Sequence, residues 1–457
     1  KEVEQTPLSV APSGSGFYPS LYNINEGDFE RVSARQNVAA RGIQLNGKLD
    51  FKITPNTNLT LGGALDYGNQ HNYIYQYALY NAQNNPQQIS TTWRTFASIR
   101  QKFGTAQTGA EKEKSQSIIS NAYFTFLASY ENSKRKTQDD THKDKLFDYG
   151  YIGKFNITAD TGLTNYKNVF AGTDSSYWVY QGRSYSPVTF ERSEINATSA
   201  NYTSQVFDYY GSLPTIQNVS SNYGFINGIR PDAIYGYFLP TGRQYPSYQI
   251  LNNTQTRFSS SFSADIKNHA IMVGVEYDQR NSSGYTIDAV SLWDRMRFLT
   301  NSHLTTLDTK NLVLVPELSG TENHYYANYV YNADAQAQID KSLREKMGLG
   351  ADNQSYINTD MLNPDELTLD MFSAKDLQLN ATSQLVTYYG YDYLGNKDKN
   401  NTSIDGFLNN KDSKGNMTMN IGGFKPIYVA GYIQDKFDYK DIKFNVGLRV
   451  DRFEENQ

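Results

Sequence analysis

The side chains best able to hold a metal or move a proton near neutral pH are the five histidines, His71, His142, His269, His303 and His324, and they are scattered along the chain. No H-E-x-x-H or paired-histidine spacing occurs, which argues against a zinc enzyme. No G-x-S-x-G elbow, phosphate-binding loop or G-x-G-x-x-G follows a strand-like stretch, so nucleophilic catalysis and nucleotide binding lack their residues. Asp398, Asn400, Thr402 and Asp405 loosely resemble a calcium loop, but its central glycine and terminal glutamate are missing. The expectation is a protein that is not an enzyme, with no catalytic residue, no metal and no cofactor. What remains is aromatic. Tyr177, Trp178 and Tyr180, and Tyr388, Tyr389, Tyr391 and Tyr393, form clusters that can stack on sugar rings or peptide side chains. Aromatic girdles and loop cores use the same residues. These seven stand as the candidate ligand-binding residues.

Composition narrows the partners. Lys and Arg (42) nearly balance Asp and Glu (47), without the basic excess of a nucleic-acid binder, so no nucleic acid is expected. There is no cysteine, which removes disulfides, thiolate metal sites and a lipid-modified cysteine. Aromatics make up 14%, with 37 Tyr against 3 Trp, and Asn, Ser, Thr and Gly abound, a mixture suited to strands and polar loops. No apolar run of about 18 residues occurs, which rules out a transmembrane helix, whereas a transmembrane strand needs only about 9 to 11 alternating residues. A mean hydropathy of -0.63 is compatible with such strands, because only alternate residues of a barrel strand face lipid. Lys1 opens the chain without a basic and apolar leader, so the sequence reads as mature or trimmed.

The elements that must carry these residues are alternating segments. Gln44 to Ile53 sets Leu45, Leu49, Phe51 and Ile53 against Asn46, Lys48, Asp50 and Lys52, turns at Pro55 and Asn56, and returns through Leu59 to Gly68. Thr256 to Ile266 carries Phe258, Phe262, Ala264 and Ile266 on one face, turns at 267–269, and returns with Ile271, Val273, Val275 and Tyr277. Ile427 to Phe437 turns at 438–441, and Ile442, Phe444, Val446, Leu448 and Val450 then alternate with Lys443, Asn445, Arg449 and Asp451. Further candidates are Trp93 to Phe103, Asn121 to Asn132, Phe147 to Thr158 and Tyr166 to about Tyr180, about ten strands in all.

The longer connections fall at alternate positions, so tight turns collect at one end and elaborate loops at the other. Charges along one side of the last strand suit either the wet face of a soluble sheet or a hydrated lumen, and the loop alternation favours the lumen. The predicted fold is all-β, an antiparallel transmembrane β-barrel with long extracellular loops. Residues 1–43 are expected to be an extracellular loop segment and 44–280 barrel strands whose longest loop is 181–255. Residues 281–426 are read as a long outer loop region with short helices, and 427–457 as a barrel hairpin. Asp334 to Met347 has helical spacing and stops at Gly348. An open sheet of about ten strands would leave unpaired edges in hydrocarbon, so the reading is a slice of a larger barrel.

The stretches NGKLDF (46–51), NAYFTF (121–126), YGYIGKFN (149–156), GVEYDQR (274–280), YYGYDYLGNK (388–397), YVAGYIQDKF (428–437) and FNVGLRVDRFEENQ (444–457) resemble the TonB-dependent receptors of Bacteroidota. The subgroup they are most similar to is the large Oar-like type with a carboxypeptidase-like regulatory domain. This resemblance implies a 22-stranded barrel of the bacterial cell outer membrane, closed by a plug that is not in this chain and energised by TonB, ExbB and ExbD. It further implies import of a bulky oligosaccharide, peptide or chelate, with a surface lipoprotein lid as a partner. Two alternatives stay open: a barrel that is a structural scaffold among other outer-membrane proteins, and a secreted β-rich glycan-binding protein. If the alternation of loops is topological, protease added to intact cells will cleave within 281–426 and spare 267–269 and 438–441. Cleavage at those turns in unbroken cells would reverse the orientation.

Overall fold

A computed structural model describes residues 2–14, 16–103, 119–160, 166–170, 176–180, 184–308, 310–316, 323–380 and 383–455. The chain is mostly β, and its largest unit is one antiparallel sheet. The long strands are β1 (Ala40–Thr54), β2 (Thr57–His71), β3 (Gln87–Phe103), β4 (Ile119–Gln138), β5 (Ser247–Ile266), β6 (His269–Asp288), β7 (Ile427–Tyr439) and β8 (Ile442–Glu454). Each pairs with the next in chain order, an up-and-down meander. Val386–Tyr389 adds a short strand to the far end of β6, beyond the reach of β7. Among the described residues the free edges of β1 and β8 carry no partner strand.

The β5–β6 and β7–β8 hairpins close through two residues each, and Lys267 and Lys440 take the positive φ (56° and 55°) that such tight turns require. These turns and Pro55–Asn56 lie at one end. Antiparallel order sends 72–86, 139–246 and 289–426 to the other end.

Two expected strands are not in this sheet. Phe147, Tyr149 and Tyr151 alternate, but all three are buried, and their rings enter different clusters of a loop domain. The chain turns sharply between them at Gly150 (φ +69°), where a Cβ would stand 2.9 Å from Val290 and 3.3 Å from the Gly228 Cα. Downstream, Gly153–Asp160 pairs with Ser184–Arg192. The stretch 166–180 is two strands, Tyr166–Phe170 and Ser176–Tyr180, paired with each other. A period of two reports which residues are buried, and a loop core can produce it as readily as a sheet. The two losses leave the direction of every later strand unchanged, because an even number was removed.

The three long connections, with residues 2–38, fold into a domain that holds nearly all the buried apolar side chains. In one cluster Phe147, Tyr151, Trp293, Met296, Ile339 and Leu343 pack with Phe372, Leu377 and Val386. In another, helix α1 (Ala197–Tyr210) presses Ala200, Val206 and Phe207 onto Ile152, Phe155 and Val188, with Leu8 and Phe17 from the N-terminal region. Helix α2 (Leu292–Leu299) joins the two clusters. Arg297 makes a two-pronged contact with the carboxylate of Asp360 (2.7 Å each) and donates to the Asn227 carbonyl, while the Asn227 amide bonds Asp360, Gly153 and Ile152. Helix α3 (Gln338–Lys346) lies inside the stretch expected from Asp334 to Met347, and Gly348 follows it at φ +69°.

On α3, Asp340 and Arg344 are fully buried and paired at 2.8 Å, and His303 Nδ1 lies 3.4 Å from Asp340. Burial pushes the His303 pKa down, and the Arg344 charge adds to this against the opposite pull of Asp340. A histidine with a lowered folded pKa resists protonation, so its contribution is intact above its unfolded value of about 6.5 and is lost as pH falls below that value. The thermal stability of the loop domain should therefore fall between pH 7 and pH 5, and His303→Gln should flatten that dependence. An unchanged pH profile in the variant would place the sensitivity elsewhere.

Candidate functional site

Strand alternation sorts the sheet into two chemically opposite faces. Cross-strand register sets Leu49, Leu61, Ala97, Ala128, Phe258, Tyr277 and Val429 in one continuous row across seven strands. The adjacent rows on this face carry Phe51, Leu59, Ile99 and Phe126, and then Phe262, Val273, Ile433 and Leu448. Among the described residues nothing covers them: Leu49 is 61% exposed and Leu448 66%. Aromatic pairs stand at both ends of the apolar rows. Trp93 with Tyr130 (5.2 Å between ring centres) and Phe258 with Tyr277 (6.0 Å) lie toward the loop domain. Phe103 with Phe262 (6.3 Å) and Phe437 with Phe444 (5.1 Å) lie toward the tight turns.

The opposite face is ionic. Glu276 on β6 sits between Arg449 of β8 (3.1 Å) and Arg257 of β5 (4.0 Å), and Arg449 also contacts Asp451 at 2.9 Å. The Tyr428 hydroxyl donates to Asp451 and accepts from Arg449. Arg94 pairs with Glu131 at 2.7 Å, and Lys48 with Asp50 at 3.0 Å. Near the loop end of this ladder, Arg257, Glu276, Asp278, Arg280 and Tyr428 line a cleft of about 450 Å³. The sequence placed these charges on one face and set Lys48 beside Asp50 and Arg449 beside Asp451 two residues apart, but it did not show the partners of Glu276 and Arg94, because those contacts cross between strands.

The candidate aromatic residues have different fates. Tyr391 and Tyr393 are buried; the Tyr393 hydroxyl donates to the Phe372 carbonyl (3.2 Å), and Tyr391 packs near Tyr285. Tyr388 donates to the Met419 carbonyl at 2.9 Å, and Tyr389 lies edge-on to Phe424 and over Gly284. The structure thus brings this quartet together as packing of the loop domain. Burial drives the Tyr393 pKa up to about 12, which keeps the phenol neutral. For Tyr177, Trp178 and Tyr180 the backbone is a strand, with Asn323–Tyr326 alongside in parallel, and their side chains lie outside the described residues.

The acidic stretch resolves into turns. Asp398 accepts the backbone N–H groups of Asn400 (3.0 Å) and Thr402 (2.7 Å), and Ser403 caps the helix Ile404–Asn409. Among the described residues no group of three or more His, Cys, Asp or Glu is placed to hold a metal ion. An open polar groove of about 730 Å³ runs beside this stretch, lined by Asp398, Asn400, Thr402, Asp405, Asn409 and Asn420 among others. Two copies of one hairpin flank it, a signal legible in the sequence as D-x-x-G-N. Asp392 accepts N–H from Leu394 and Asn396, Asp412 accepts from Lys414 and Asn416, and Gly395 and Gly415 share φ near +84° and +85°.

No family model matches the chain, and no curated protein matches it. No helix among the described residues is long and apolar enough to cross a membrane, which leaves strand crossing untouched. If the ionic face is wet, a double-mutant cycle between Glu276→Gln and Arg449→Leu will return a coupling of about 1 kcal/mol or less. A coupling of several kcal/mol would mean a face dried by something packed against it.

Proposed function

We propose that the meander is a segment of a transmembrane β-barrel in a bacterial outer membrane, and that the protein is a TonB-dependent receptor importing a bulky hydrophilic ligand. The observation that carries this reading is the uncovered apolar face bounded by two lines of aromatic residues. The stretch from Trp93 to Phe103 rises about 33 Å along β3, or about 25 Å along a membrane normal at a tilt of about 40°, the height of a barrel's apolar band. A soluble sheet with one such face would cover it with a second layer. The free edges of β1 and β8 are then where further strands of the same barrel join, since unpaired edges in lipid cost several kcal/mol per orphaned group.

On this reading the ionic face lines the lumen, and the folded loop domain stands outside the cell. The groove beside Asp398 and Asn420 has a volume suited to a small ligand or one end of a larger one. Its amide, hydroxyl and carboxylate lining favours a hydroxyl-rich ligand such as an oligosaccharide. Recognition of TonB, ExbB and ExbD, and of a lipoprotein lid, rests on the resemblance of the strand motifs.

Leu448→Arg, on the apolar face, should impair assembly by about 2 to 4 kcal/mol at mid-membrane, whereas Arg449→Leu should be mild. Heat-modifiable migration on gels separates the two variants. Greater damage from Arg449→Leu would invert the faces and remove the lipid assignment. Loss of TonB should abolish ligand uptake; unchanged uptake without TonB would leave the barrel as a scaffold.

A further inference from the structure

We propose that the cleft formed by Lys397, Lys399 and Lys425 with Asn281 and Ser283 binds the phosphate of an anionic lipid headgroup in the outer leaflet. The inference rests on the barrel reading above and adds a ligand to its outer surface. The cleft measures about 230 Å³. That is below the usual span of about 300 to 1,000 Å³ for drug-sized ligands and suits a single headgroup.

Its position follows from register. β6 pairs with β5 from His269 to Asp288 without a shift, so Asn281 and Ser283 continue the face of Val273, Val275 and Tyr277. The β6–β7 register that sets Gln279 opposite Ile427 runs on to Ser282 opposite Phe424, which puts Lys425 directly opposite Asn281. The cleft therefore opens on the apolar side of the sheet, just beyond Tyr277. From Tyr277 to Asn281 is about 13 Å along the strand and about 10 Å along the normal, which is headgroup depth.

The floor is built for close approach. Here the edge of β6 passes from the chain around Phe424 to Val386–Tyr389, and Gly423 and Gly390 meet at the handover. A Cβ on Gly390 would stand 2.6 Å from the Ser283 Cβ, and one on Gly423 would stand 2.8 Å from Asn281 Oδ1. Ser283 is itself buried and tied to the Asn252 carbonyl at 3.0 Å.

The cleft is net positive, with three lysines against one carboxylate. Among the described residues none of the three ammonium groups has a carboxylate within ion-pair distance, and the one acid in the cleft, Asp398, is occupied by the N–H groups of Asn400 and Thr402. A fourth basic residue stands on the same face, in the row of Ser283: Lys134 is opposite Asn252, which is opposite Ser283. Toward the other rim of this face, Asp435 pairs with His269 (2.6 Å). Unpaired lysines just outside an apolar band are the arrangement that holds anionic headgroups.

The test uses the protein purified in detergent and placed in phosphatidylcholine nanodiscs doped with diphosphoryl lipid A, with retained lipid counted by native mass spectrometry. Each lysine near a charged membrane surface is worth about fivefold in binding, so Lys397→Gln, Lys399→Gln and Lys425→Gln together should reduce lipid A retention on the order of a hundredfold. Retention of phosphatidylcholine and heat-modifiable folding should not change. Equal lipid A retention by wild type and the triple variant would overturn the site while leaving the barrel intact. Displacement of lipid A by inorganic phosphate at millimolar concentration would overturn the lipid as occupant in favour of a free anion. A protein that stays in solution without detergent and enters no nanodisc would instead overturn the barrel reading, and the site with it.

Discussion

The strands of the meander satisfy their backbone N–H and C=O groups sideways, through their neighbours, and this is the constraint from which the rest of the architecture follows. A sheet paired in this way needs no layer above or below it to complete its hydrogen bonds. Its apolar rows still need a neighbour other than water, since leaving a large aliphatic side chain exposed forgoes about 1.5 to 3 kcal/mol each. Leu45, Leu49, Phe51 and Ile53 on β1, and Val446, Leu448 and Val450 on β8, are all left open by this chain. On the proposed barrel reading, hydrocarbon is the neighbour that meets both conditions.

With the sheet facing outward, the protein's own core had to form elsewhere. It lies in the connections, where Trp293, Phe155 and Tyr149 are fully buried. The Trp293 indole donates to the Phe147 carbonyl at 2.9 Å, and the Tyr149 hydroxyl donates to the Lys143 carbonyl at 2.7 Å. Loops of this length ordinarily carry too many backbone polar groups to be buried. Here side chains take over that duty: Asn227, Asn196 and Asp376 each bind main-chain atoms of segments far away in sequence or beside them. The Arg297–Asp360 contact, with Asn227, then links the two apolar clusters of the loop domain.

The functional surfaces inherit their character from these two parts. The ionic face of the sheet is a wall of paired charges, which on the proposed reading lines the path of a polar cargo. The loop domain presents the amide-rich groove. Where the two parts meet on the apolar side, the change of partner along the edge of β6 leaves a small basic cleft.

Much of this was legible from residue order. Alternation over Gln44 to Ile53, Leu59 to Gly68 and Ile442 to Val450 identified strands and their faces, because each side chain's exposure depends only on its parity within a strand. The tight turns followed from their length, and the helix near Asp334 to Met347 from its spacing and Gly348. Other features needed the tertiary structure. Phe147 to Tyr151 has the parity of a strand and lies in a core, since burial on every side erases the difference between faces. The burial of Tyr391 and Tyr393 within the loop domain is likewise not readable from their spacing, since an aromatic ring gains as much from Phe372 or Tyr285 as from a ligand. The outer halves of β5 and β6 escaped detection because Asn252, Asn253, Asn281 and Ser282 break the apolar alternation there. The Lys425–Asn281 pairing is likewise invisible in sequence, because it is set by a register between residues far apart in the chain, and register is a property of strands already assembled.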